Sequence, residues 1–150
     1  MVEFFLDNKK VKAEEGETIW QVAKKNGIVL PHLCYSDKPG YRADGNCRAC
    51  MVSVEGERVL VASCIRQPTE GMKVLTEDER SKKSRKMVLE LLVTDQPVKE
   101  DCHDPDSHFW KIADEVKVNK SRFDKRENKE IPISDNSHVA MAVNLDACIQ

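Results

Sequence analysis

Apolar and polar positions change period several times along the chain, and each change predicts an element. Val2 to Leu6 and Lys9 to Ala13 are short β-prone runs separated by Asp7-Asn8, a pair whose side chains bond the local backbone and tolerate positive φ, so a hairpin is expected. Thr18 then precedes IWQVAKKN with Gln21 three residues on, a capping-box spacing. Ile19, Val22 and Ala23 share one helical face, and Gly27 supplies a left-handed stop. Trp20 on this helix is expected to serve core or helix-edge packing.

Met51 to Val54 and Arg58 to Val61 are β-branched runs split by Glu55-Gly56-Glu57, and Met72 to Leu75 is a further strand candidate. Strands, one crossing helix and more strands predict an α+β roll. Thr76 and Glu79 repeat the capping-box spacing and open a helix running toward Thr94, with Met87, Val88, Leu91 and Leu92 as its apolar stripe. From Asp95 onward Pro97, Pro105 and Pro132 punctuate a polar segment in which only Phe109 to Val118 keeps helical periodicity. The expected organisation is a domain over 1–75 followed by a long helix and an irregular, partly helical extension over 76–150. No internal repeat or low-complexity tract interrupts it.

Composition narrows the function classes. The chain has 150 residues, enough to bury roughly 68–70% of its unfolded surface without covalent staples. Its 24 basic and 26 acidic residues give a net charge of -2, so no overall field draws it to nucleic acid or anionic lipid. Arg80, Lys82, Lys83, Arg85 and Lys86 cluster early in the second helix. A solvated face accounts for them, with docking onto an acidic partner as the alternative. The start, MVEFFLDNKK, lacks a basic region followed by a long apolar stretch, and Glu90 interrupts the richest apolar run, so a soluble cytoplasmic chain without membrane insertion is expected.

Cysteine placement carries the chemistry. Four of the six cysteines, Cys34, Cys47, Cys50 and Cys64, follow the spacing C-x12-C-x2-C-x13-C, which favours a metal site in a reducing compartment over a disulfide framework. Thiolates select soft metals, and iron–sulfur clusters take cysteine quartets with some ligands close in sequence and one from a distant strand. Here Cys47 and Cys50 are the close pair, Cys34 reaches in from the far end of the loop, and Cys64 arrives after a run of valines. Gly40 and Gly45, with Asp44 and Asn46, let the loop curl so that backbone N–H groups face sulfur. A [2Fe-2S] cluster is the expected occupant. Structural zinc, which usually takes two short-spaced cysteine pairs, and plain buried or disulfide-linked cysteines remain as alternatives.

The segments PHLC, GYRADGNCRACMV and ASCIRQPTEGMKV, with the helix after them, resemble the N-terminal ferredoxin-type [2Fe-2S] domain of NAD-dependent formate dehydrogenase alpha subunits. More loosely, they are similar to the corresponding domain of the complex I large iron–sulfur subunit and of NAD-linked iron-only hydrogenases. The resemblance runs from Met1 to about Thr94. It implies a β-grasp fold and one-electron transfer through a cluster on Cys34, Cys47, Cys50 and Cys64, with other redox subunits of an NAD-linked complex as partners.

Downstream, that family's His-Pro pair reads Gln96-Pro97, and of its three [4Fe-4S] cysteines only Cys102 remains. No cluster is expected there, and Cys102, His103 and His108 count as loop residues. The tail DNSHVAMAVNLDACIQ resembles the lead into a bacterial ferredoxin cysteine run, with Cys148 unassigned and the chain expected to be a fragment or a shortened relative. His32 and His138 are expected at the surface or in packing. With no phosphate-cradling glycine motif and no nucleophile–base pairing, independent catalysis is not expected. Two rivals to electron relay are a zinc-stabilised adaptor docking through the basic helix and an oxidoreductase with a catalytic thiol.

Overall fold

The hairpin predicted at the N-terminus forms with its predicted bounds. In a computed structural model, which describes residues 1–125 and 134–144, β1 (Val2–Leu6) pairs antiparallel with β2 (Lys9–Ala13). Asp7 and Asn8 take φ values of 48° and 67°, the two positive values that a twist-matched two-residue turn requires. α1 (Ile19–Lys25) follows, and its capping box is complete: the Thr18 hydroxyl accepts the Gln21 N–H and the Gln21 side chain accepts the Thr18 N–H.

After a long loop come β3 (Met51–Val54), β4 (Val61–Ala62), β5 (Lys73–Leu75) and α2 (Glu79–Thr94). The five strands form one mixed sheet in the order β2-β1-β5-β3-β4, with β1 and β5 parallel and every other pair antiparallel. Alternation sets the buried face: Phe4 and Leu6, Val11 and Ala13, Val52 and Val54, and Val74 turn inward, while the lysines of β2 stay out. α1 completes this core with Ile19, Trp20, Val22 and Ala23. Burying each large apolar side chain contributes about 1.5–3 kcal/mol.

Three expectations from the sequence are corrected by bonds seen in the structure. The strand expected at Arg58 to Val61 shrinks to Val61–Ala62, because the Glu57 N–H folds back onto the Val54 carbonyl and the Arg80 guanidinium donates to the Arg58 carbonyl. Thr76 does not cap α2. Its N–H and hydroxyl both donate to the Asp7 carboxylate, at 2.7 and 2.6 Å, tying the end of β5 to the hairpin turn. Asp78 caps instead, its Oδ2 accepting from the Ser81 N–H (3.3 Å) and the Ser53 hydroxyl (2.9 Å). Arg85, placed by sequence in a basic helical face, is buried, with its guanidinium on the Thr76 and Ser81 carbonyls and Glu77.

Burial alone would raise the Asp78 carboxyl, but bonds from Ser81, Ser53 and the Arg80 and Ser81 amides outweigh it and hold it below the ordinary Asp value. A depressed carboxyl contributes stability that is whole above that ordinary value and is lost as pH falls beneath it. Asp78→Ala should therefore cost about 0.5–2 kcal/mol at neutral pH. The gap to the parent in urea unfolding should close in strong acid, and a pH-independent gap would refute the capping role.

The chain divides into two compact units, Met1–Val88 and Leu89–Gln150. The second contains a short 3₁₀ turn at Lys99–Asp101, the predicted helix as α3 (His108–Glu115), and a hairpin of β6 (Ser134–His138) and β7 (Met141–Asn144). Ser107 caps α3, which buries Phe109, Trp110, Ile112 and Ala113. The hairpin adds to the sequence expectation, since DNSH carries no apolar alternation to announce a strand.

Candidate metal centre

The termini of α1 prepare the site. An α-helix leaves its first N–H groups without intrahelical partners. Here Ile19 donates to the Arg66 carbonyl (2.8 Å) and Trp20 to the Ser63 carbonyl (3.0 Å), so the free end of α1 clasps both sides of Cys64. Ser63 is fully buried, and both its N–H (3.2 Å) and its hydroxyl (2.8 Å) donate to the Cys50 carbonyl. Sequence reasoning missed this serine, and only its position beside Cys64 could have pointed to it.

The long loop is pinned from the other side by Trp20. Its indole N–H donates to the Leu30 carbonyl (3.2 Å), and its ring meets His32 and Tyr35 edge-on, at centroid distances of 4.6 and 5.0 Å. Cys34 lies between those last two residues in sequence. Trp20 and His32 also line an open cleft of about 400 Å³ with Leu30, Lys24 and Asp37, and the last two are ion-paired across 3.0 Å.

The four cysteines come together as two pairs. The Cys34 N–H points at the Cys47 sulfur and the Cys47 N–H at the Cys34 sulfur, both at 3.4 Å. Cys50 and Cys64, both buried, lie close enough for each thiol to shift the titration of the other. Cys47 and Cys50 are close in sequence, yet each has as its neighbour a cysteine more than ten positions away. Arg48, at φ 58°, turns the chain between them.

The neighbouring Cys64 thiol, with the Cys64 amide and the Ser63 hydroxyl, draws Cys50 down to about 6, against the pull of burial. Cys64 is pushed up by Cys50, by burial, and by the nearby charges of Cys34 and Cys47. Burial also pushes Cys47 up, opposed by N–H groups of Ala49, Cys34 and Leu33. Sulfurs this close, two of them buried, cannot all ionise unaided. Positive charge supplied by iron is what such a set needs, and loading it releases protons.

The donor set fits a [2Fe-2S] cluster. Such a cluster takes two cysteines on each iron, and two adjacent pairs are present. The Cys102 S–H donates to the Lys99 carbonyl (3.0 Å). His103 and His108 are exposed, and the His138 ring accepts the Ala140 N–H. Cys148 lies outside the described residues.

Gly45 is the one loop glycine that meets a neighbour. Its φ is 64°, and a Cβ there would lie 2.9 Å from Ile65 Cδ1. That atom ends a flexible side chain, so backbone strain dominates, and Gly45→Ala should cost about 1–2 kcal/mol in urea unfolding. Gly45→Asn should cost less, since Asn tolerates left-handed backbone; equal costs would show that the Ile65 contact decides.

A mixed sheet crossed by one helix, with paired thiols beside that helix, defines a small iron–sulfur protein domain. The family model described as "2Fe-2S iron-sulfur cluster binding domain" matches residues 1–79, more than half of the chain, and the chain belongs to that family, whose cofactor is a [2Fe-2S] cluster. It is 43% identical over 101 residues to the mitochondrial NADH-ubiquinone oxidoreductase 78 kDa subunit of Candida albicans, covering 67% of this chain and 14% of that one. It is 38% identical over 102 residues to the NADH-ubiquinone oxidoreductase 75 kDa subunit of Reclinomonas americana, covering 68% and 14%. A crystal structure of an NAD+-reducing [NiFe]-hydrogenase in its H2-reduced state superposes with a TM-score of 0.83 at 25% identity, over 99% of this chain and 62% of that chain. The chain thus spans about a seventh of the length of these sequence relatives. No helix among the described residues is long and apolar enough to cross a membrane.

Proposed function

We propose that the chain is a one-electron relay in a cytoplasmic, NAD-linked redox complex of the formate dehydrogenase kind, in which it works beside other redox subunits. Cys34 and Cys47 hold one iron, and Cys50 and Cys64 hold the other. The two-plus-two pairing of thiols is the observation that carries this assignment. Residues 1–75 form the β-grasp ferredoxin-type domain, and 76–150 add α2 and an extension without a cluster.

When bound, the cluster supplies reversible one-electron oxidation and reduction. The chain's own residues set the conditions. Backbone N–H groups of Cys34 and Cys47 point at sulfur and favour negative charge there, which raises the potential. Buried Ala49 and Trp20 limit water on their sides of the loop, and α1 keeps Cys64 from shifting as charge changes.

Anaerobic reconstitution, iron and sulfide analysis, and EPR of the reduced protein test the centre. Equal iron and inorganic sulfide with a one-electron signal is the expected result. A colourless protein with stoichiometric zinc would establish the adaptor instead. The complex is tested by purifying the chain with its bound subunits and assaying NAD+ reduction by formate. Oxidation of NADH or hydrogen without formate turnover would assign it to another member of the group.

A further inference from the structure

Arg48 sits between Cys47 and Ala49 with its backbone in the left-handed region (φ 58°), where a side chain is disfavoured and glycine is not. The turn itself has a purpose, since it leaves Cys47 placed to exchange N–H contacts with Cys34, each amide 3.4 Å from the other's sulfur. That purpose needs no side chain at position 48, and an arginine there carries a backbone cost that glycine avoids.

The side chain also does nothing inward. Arg48 is exposed and makes no hydrogen bond or ion pair among the described residues. Its loop neighbours differ: Arg42 is paired with Asp44 at 2.8 Å and Asp37 with Lys24 at 3.0 Å. The charge left uncompensated on the loop is therefore positive, from Lys38 and Arg48, on a chain whose net charge is -2. Ile65, 46% exposed, lies against Gly45 of the same loop, three positions before Arg48. The loop thus carries an unpaired arginine and has an exposed apolar side chain packed on it, and arginine with apolar area is a composition enriched at protein interfaces.

We infer that Arg48 and Ile65 form the electron-exchange contact, on which the acidic surface of a one-electron carrier protein docks with Arg48 as its anion-recognition point. The inference rests on the relay function proposed above, because it places the contact one residue from a proposed iron ligand. A local positive spot on a negative molecule orients an approaching acidic partner and raises its encounter rate.

The test uses reconstituted protein reduced with dithionite and mixed in a stopped-flow instrument with ferricyanide, an anion, or hexaamminecobalt(III), a cation. Ferricyanide takes one electron and becomes ferrocyanide; no atom or proton is transferred. Arg48→Glu should slow oxidation by ferricyanide about tenfold at low salt and speed oxidation by the cobalt complex, with both effects collapsing in 1 M salt, where the screening length is about 3 Å. Arg48→Lys should match the parent. Arg48→Gly should fall between them while its urea midpoint equals or exceeds the parent's. Hexaglutamate should slow the parent's reaction with ferricyanide and leave that of Arg48→Gly unchanged.

Lys9→Glu is the charge control. Lys9 pairs with Leu6, which is level with Val74 and Val54, at the opposite end of β3 from Cys50. Equal effects of Lys9→Glu and Arg48→Glu would overturn the inference, since net charge alone would then set the rates. Indifference to hexaglutamate would overturn the acidic partner. A lowered urea midpoint or lost iron in Arg48→Gly would show the side chain to be structural. Failure of the parent to hold iron and sulfide would defeat the relay itself, which separates the two results.

Discussion

Cys47→Ser leaves the reconstituted protein with almost no iron or inorganic sulfide after gel filtration, and the visible absorption goes with them. The reason is the pairing. Serine offers a hard, un-ionised oxygen where a soft thiolate is needed, and the change also removes the sulfur toward which the Cys34 N–H points. Cys50→Ser and Cys64→Ser behave alike, because each strips one member of the second pair. The contrast is Cys102→Ser. That S–H bonds only the Lys99 carbonyl, so iron content stays at the parent's level and stability moves by no more than about 0.5 kcal/mol. A bleached Cys102→Ser beside a coloured Cys47→Ser would invert the ligand assignment.

Trp20→Ala lowers the stability of the first unit by about 3–5 kcal/mol, a large share of the roughly 5–15 kcal/mol that folded domains possess. Trp20 is 5% exposed and joins α1 to the cluster loop through its ring contacts and its bond to the Leu30 carbonyl, itself buried. Trp20→Phe separates the two contributions. It keeps a ring in the core and orphans only that carbonyl, so its cost is about 1–3 kcal/mol. Urea unfolding with unchanged m-values measures both. Equal costs for the two variants would mean that the hydrogen bond, and not the volume of the ring, holds the loop. Cluster loading should fall with stability, because Cys34 sits between His32 and Tyr35, both in contact with the indole.

The elements that could be read directly were those settled within a few residues. Asp7-Asn8 specifies its own turn, Thr18 and Gln21 satisfy each other, and Ser107 opens α3 where helical periodicity begins. Thr76 and Glu79 show the same capping spacing and fail, because Asp7, 69 positions away, offers Thr76 two short bonds that a helix terminus cannot match. Arg85 reads as one more solvated cation until three acceptors from its own turn and the preceding segment enclose it. The β6–β7 hairpin left no trace in hydrophobic pattern, its described side chains all being exposed.

The four thiols and their soft-metal chemistry were determined by the sequence alone, since ligand type and number are properties of composition and spacing. Which thiol faces which was decided only in three dimensions. Cys50 meets Cys64 because β3 and β4 pair immediately beyond them and α1 donates its free amides around Cys64, and Cys47 meets Cys34 because the chain turns at Arg48. Those bonds join positions far apart in the chain, and the free energy of forming them depends on the whole sheet and helix being in place.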